Sequence, residues 1–363
     1  MEEVKIKFNT KDRPEFVKEL RRRVNSYFKE NNKSKYGNAS MVIKTIFMLS
    51  LYLIPYFVII LNLTTNPYII WGMWTLMGLG MAGIGFSIMH DANHGAYSKN
   101  QKVNKALGYL INIIGGSSVN WKIQHNVLHH TYTNIHEHDE DLDGTLMRFN
   151  HHQKRLKAHR FQQFYAWFLY GLITIAWSTK KDFIQLKRYR KKDLIKTQNI
   201  DYKTAFTKLV NAKIFYYSFI LFLPLIFSSQ AWWLTLIFYF AMHFTSGVFI
   251  SVVFQLAHVV SETDFPIPKL SGEMDNNWAI HQLYTTANFG KRNLPLSWFV
   301  GGLNFQIEHH LFPNICHVHY RKLSDIVKET AIEFDLPYYQ NSLFGAISSH
   351  AKHLNKLGKY DMA

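Results

Sequence analysis

The sequence predicts an all-α integral membrane protein, with four transmembrane helices in two hairpins and a cytosolic helical cap. Three observations lead there. Four apolar stretches are each long enough to cross about 30 Å of hydrocarbon at about 1.5 Å per helical residue. The links within each pair of stretches are very short, and Lys and Arg are absent from 45–98 and from 214–268, which hold nearly all of both pairs.

In chain order, residues 1–40 are charged and amphipathic, with no apolar core of the kind a cleavable signal peptide needs, so this segment is expected in the cytosol. Spans follow at 41–63 and 68–89, then at 209–227 and 232–258. No Lys or Arg occurs from 45 to 98 or from 214 to 268, which leaves the basic charge on the N-terminal, central and C-terminal segments. The positive-inside rule assigns those segments to the cytosol. The apolar run 164–177 is too short to span and is flanked by basic residues on both sides, so it reads as an interfacial helix; 106–114 is a second candidate. A fifth full span would put the histidines near 90 and those near 310 on opposite membrane faces. The domain reading is therefore 1–40 as a cytosolic segment, 41–320 as the membrane domain and 321–363 as cytosolic helices.

The chain has 363 residues and a formal charge of +16. Mean hydropathy is only −0.12, because apolar and basic stretches cancel. The basic excess reflects positive-inside sorting and solubility, and part of it can steer an anionic headgroup or CoA phosphate. No nucleic-acid module is present, and none is expected as partner. A single cysteine, Cys316, excludes an internal disulfide framework and offers no thiolate cluster for a metal.

Nineteen histidines are the informative feature. His90 and His94 are an i, i+4 pair at the end of the second span, projecting from one helix face. His125 and His129 repeat that spacing, and His130 is rotated by about 100° from its neighbour on an ideal helix. His309 and His310 form a third set, preceded by Gln306, and His258 ends the fourth span. Each neutral imidazole offers one nitrogen donor. Eight such rings are too many for one tetrahedral zinc, and without thiolates they suit two redox-capable irons. Gln306 is left open between iron ligand and hydrogen-bonding neighbour of the ligands.

The remaining histidines carry weaker readings. His243 lies mid-span and reads as structural. His151, His152, His317, His319, His350 and His353 read as surface residues or as neighbours of the ligands. The acidic run Asp139, Glu140, Asp141, Asp143 lacks the Glu that closes a calcium loop, with Asn150 standing there. It reads mainly as a solvated turn, with carboxylates that orient ligand imidazoles as the alternative; His136 and His138 share that doubt.

The motifs HDANH at 90–94, HNVLHH at 125–130 and QIEHHLFP at 306–313 resemble, in order and separation, the three histidine boxes of the membrane fatty acid desaturases. Gln306 at the head of the third box is similar to the front-end members, which insert a double bond between an existing one and the carboxyl end. The likeness spans about 41–320. It implies a di-iron, dioxygen-dependent enzyme that places a cis double bond in a fatty acyl chain held on CoA or lipid, acting from the bilayer. Many front-end enzymes carry a fused cytochrome b5 domain, which this sequence lacks, so a separate ferredoxin or cytochrome b5 is the expected electron donor.

An unactivated methylene has no acidic proton, so acid–base chemistry cannot remove its hydrogen, whereas iron with dioxygen can. Trp121 and Trp278, close to the boxes, are candidate substrate contacts. The alternatives are a hydroxylase of the same scaffold acting on an alkane, sterol or carotenoid, and a histidine-rich metal transporter or sensor. A transporter would place its histidines at mid-membrane, whereas these clusters fall in the flanking segments.

Overall fold

The computed structural model describes residues 6–142, 144 and 146–360. Helices dominate. Among the described residues the sheet is limited to Asn288–Phe289 and Gln340–Asn341, paired in parallel, with one isolated bridge between Lys7 and Glu273. Four helices are long and apolar enough to cross a membrane: Ala39–Ile60, Pro67–Asn93, Tyr202–Phe227 and Trp232–His258.

These are the four stretches expected from hydropathy, with two shifts. The third begins earlier, at Tyr202, because the Asp201 carboxylate caps it by accepting from the Thr204 amide at 2.7 Å. The second runs on through His90, by way of a π-helical turn at Ile84–Met89. The apolar run 164–177 is divided at Leu172 between Gln162–Gly171 and Ile173–Ala176, neither of which can span.

The chain forms two compact units. One comprises 38–125 and 167–252. Small residues let its helices approach. A Cβ added at Gly80 would lie 2.7 Å from the Tyr52 amide nitrogen, and one at Gly247 would lie 2.5 Å from the Gly171 carbonyl. Large apolar side chains remain outside, among them Ile43 at 65%, Ile226 at 71% and Trp232 at 66% exposure. Such a surface is an aggregation liability in water and the expected lipid face in a bilayer. Inside, Lys213 Nζ donates to the carbonyls of Gly115 and Trp177, both at 2.7 Å, and to the Asp182 carboxylate at 2.5 Å.

The other unit comprises 1–37, 126–166 and 253–363. Helix Pro14–Glu30 buries Phe16, Leu20 and Val24, one turn apart, against Leu323, Val327 and Ala331 of helix Tyr320–Glu333. The same core holds Ile307 and Leu311, so it supports the short helix Gln306–Leu311 that carries His309 and His310. Arg148 is buried and donates to the carbonyls of His151, Gln153, Leu357 and Tyr360, which fastens the C-terminal helix Leu343–Lys359.

Candidate metal centre

In the first unit, His90, His94 and His125 converge. His90 opens the short α-helical stretch His90–Asn93 directly after the π-helical turn, and His94 caps it, its amide donating to the His90 carbonyl at 3.1 Å. The three ring centroids are 4.8, 4.9 and 5.1 Å apart, and one nitrogen from each ring lies within 4.8 Å of the others. The Nε2 atoms of His90 and His125 approach to 3.0 Å. Trp121 packs on this trio, its ring 4.4 Å from that of His125 and 5.6 Å from that of His90.

His125 lies in a π-helix, Lys122–His129. An i, i+4 pair on an ideal α-helix was expected here; the wider π turn changes the phase of every side chain after it. His129 ends the same helix and belongs to the second unit.

There, two histidine sets share His310. Ligand nitrogens of His129, His258 and His310 lie within 4.8 Å of one another, as do those of His130, His309 and His310. The rings are orientated from behind. Nδ1 of His129 is 3.0 Å from Asp139 Oδ2, Nδ1 of His258 is 3.3 Å from the Thr285 carbonyl, and Nδ1 of His310 is 2.8 Å from Gln282 Oε1. Nδ1 of His309 is 3.2 Å from the Tyr320 hydroxyl. A proton held on Nδ1 leaves the Nε2 lone pair for a metal. Nε2 of His258 is fully buried and has no hydrogen-bond partner among the described residues. A buried, unsatisfied acceptor among converging imidazoles without thiolates fits a redox-active divalent metal.

Asp139 corrects the sequence reading. Its side chain is fully buried, where a solvated turn had been favoured, and Oδ2 accepts from the Asn134 amide as well as facing His129. Burial disfavours the protonated His129 ring, but the Asp139 carboxylate, helped by Asp141, outweighs this and raises the ring's pKa above its ordinary value. Asp141 lies 3.8 Å from the same ring, and Asp143 falls outside the described residues. The surface reading of His317, His319, His350 and His353 is also overturned, since all four are buried. His350 and His353 donate to the carbonyls of Val259 and Phe149 at 2.6 and 3.2 Å, a backbone role that outcompetes hydration. His152 likewise serves the Phe265 carbonyl at 2.8 Å, and His138 that of His136 at 3.1 Å.

His243 has the structural role expected of it, between the Tyr216 hydroxyl at 2.6 Å and Thr174 Oγ1 at 3.0 Å. Trp278 donates its indole N–H to the His130 carbonyl at 2.9 Å, which identifies it as a backbone clamp. Gln306 is buried, and its Oε1 has no hydrogen-bond partner among the described residues.

The fatty acid desaturase family model matches residues 65–342. This chain belongs to the fatty acid desaturase family. The desaturase is 36% identical to a Synechocystis protein named sn-1 linoleoyl-lipid 6-desaturase, over 98% of both chains. It is 35% identical to a protein of the same name from Arthrospira platensis, over 94% of this chain and 92% of the other. It is also 32% identical to an acyl-lipid (8-3)-desaturase of Physcomitrium patens, over 97% of this chain and 74% of the other. The protein is thus a membrane-integral oxidoreductase of fatty acyl chains, of the front-end type.

Several residues that shape the desaturase's histidine sets carry no sequence signal. Gln282 Oε1 accepts from Thr133 Oγ1 at 2.9 Å as well as facing His310, and Asn134 holds the His258 carbonyl at 2.9 Å. Asn134 does so from a left-handed backbone, φ 58°, a conformation Asn tolerates better than most residues. Thr133 and Asn134 lie four residues beyond His129 and His130, but neither is a usual metal-ligand type, and Gln282 lies far from any histidine box. Only Asp139 had a cue, an acid ten residues beyond His129.

Proposed function

We propose that this desaturase inserts a cis double bond at position 6, on the carboxyl side of an existing one, in an acyl chain esterified to a membrane lipid. Identity over nearly the full length to a linoleoyl-lipid 6-desaturase carries this reading. Two irons are the cofactor, one on His90, His94 and His125 and the other on the set built from His129, His130, His258, His309 and His310. The buried Oε1 of Gln306 supports adding its amide to the ligands. When bound, iron supplies with dioxygen the oxidising power that an unactivated methylene demands.

The chain's own residues do the positioning. Asp139, Gln282, Thr285 and Tyr320 hold Nδ1 of the histidines and so present Nε2. Trp121, packed on the first trio, flanks the acyl chain at the reacting carbons. An error of about 1 Å there costs about a hundredfold in rate. The four spans form two hairpins with both termini, the central basic segment and the histidines cytosolic, as the distribution of Lys and Arg supports. A separate ferredoxin or cytochrome b5 brings the electrons.

Expression in a host that makes linoleoyl lipids, with mass spectrometry of double-bond position, tests the chemistry. A new bond at position 6 on a glycerolipid is expected. A new hydroxyl, or altered metal uptake with unchanged lipids, refutes it. Purified protein should hold about two irons per chain, and His129→Ala and His310→Ala should each abolish conversion while leaving membrane insertion intact. A reporter after Asn66 should be non-cytosolic, and one after Lys192 cytosolic.

A further inference from the structure

Beside His94, within the first unit, lies an open cleft of about 630 Å³. Lys105, Lys122 and Lys208 line it, with the amides of Gln198 and Asn199, and no acidic side chain does so among the described residues. Lys105 and Lys208 are exposed and Lys122 is half-buried. Burial lowers the Lys122 pKa, and the charges of Lys105 and Lys208 lower it further, so Lys122 lies within electrostatic reach of both. Three cations converging without a counter-charge repel one another until an anion neutralises them. Amide N–H groups at the rim supply donors for its oxygens.

The position of the cleft is as telling as its charge. A front-end enzyme acts close to the carboxyl end of the acyl chain, so whatever carries that chain must bind near the metal ligands. His94 is both a member of the first trio and a wall of the cleft. We propose that Lys105, Lys122 and Lys208 bind the phosphate of a glycerophospholipid headgroup and so fix the distance between the ester and the reacting carbons. This rests on the reading that the substrate is lipid-linked. It names a headgroup class, phosphate-bearing rather than neutral glycolipid.

The test uses full-length, iron-loaded enzyme in nanodiscs with its electron donor. Two probes carry the same linoleoyl chains: phosphatidylglycerol and monogalactosyldiacylglycerol. The variant K105Q/K122Q/K208Q should raise the half-saturating mole fraction of phosphatidylglycerol on the order of tenfold or more. Conversion of the galactolipid should stay as in the wild type, and K105R/K122R/K208R should restore phosphatidylglycerol handling. K187Q/K191Q/K192Q removes as much charge from the 182–192 region and should change neither lipid. Equal loss on both lipids, equal loss in the control triple, or no loss on phosphatidylglycerol overturns the proposal. If the wild type converts neither lipid but does convert linoleoyl-CoA, the lipid-linked reading fails by itself. The Lys→Gln triple is then read on that substrate, where a tenfold rise in KM upholds phosphate recognition and an unchanged KM refutes it.

Discussion

Replacing Asp139 by Asn tests whether the buried carboxylate governs His129. Three N–H groups converge on it: His129 Nδ1 and the Asn134 amide on Oδ2, both at 3.0 Å, and the Asp141 amide on Oδ1 at 3.1 Å. A carboxamide of the same shape has only one acceptor oxygen. Placed at Oδ2 it serves His129 and Asn134, but its NH2 then opposes the Asp141 amide. Flipped, its NH2 opposes both Asn134 and His129, and His129 must move its proton to Nε2, where it can no longer bind metal. In either case the anionic charge that favours Nδ1–H is gone. Losing such an orienting carboxylate costs about 10- to 100-fold in metal affinity or activity, or about 1.4 to 2.8 kcal/mol. The assay is iron per chain after dialysis against graded chelator, paired with conversion of linoleoyl lipid. Asp139→Asn should release iron at about 10- to 100-fold lower chelator strength. Asp139→Leu, which also strands the Asn134 amide, should be worse. Wild-type iron retention and rate in Asp139→Asn would refute the reasoning.

Lys213→Met should strand the buried Asp182 carboxylate and destabilise the protein by about 3–5 kcal/mol; Asp182→Leu in the same chain should recover part of this, read as monodisperse protein surviving a heat step. Gly247→Val should force Trp232–His258 away from the Tyr170 and Gly171 carbonyls, which a Cβ would meet at 2.7 and 2.5 Å, costing about 1–3 kcal/mol in the same assay. His350 and His353 are held neutral by burial, each with its pKa lowered to about 4. The unfolded chain takes up these protons first, so their contribution is complete above about pH 6.5 and lost as pH falls towards 4. The melting temperature in detergent should fall across that window, and more shallowly in H350Q/H353Q.

The four spans were legible because a bilayer imposes length and apolarity on any helix that crosses it, and 39–60 and 232–258 show little else. The histidine sets were legible because a metal needs several donors at once, and chance does not supply HDANH, HNVLHH and QIEHH in one chain. What stayed hidden depends on distant packing. Gln282 and Thr133 face each other across 149 positions in the chain, so no window of sequence joins them. Asp139 looked solvated because acidic runs usually are; only the fold excludes water from it. His350 and His353 looked like surface residues on an amphipathic helix, and they are buried because each finds a main-chain carbonyl. Nothing in the composition of Ile84–Met89 or Lys122–His129 announces a widened turn.

Those two widened turns have a practical consequence for anyone engineering the enzyme. Each ends at, or immediately before, an imidazole of the first or second cluster. Regularising either into an ordinary helix at unchanged length would swing everything downstream by about 100°. Libraries drawn against chimeric templates should keep both stretches at their native length and take crossovers elsewhere.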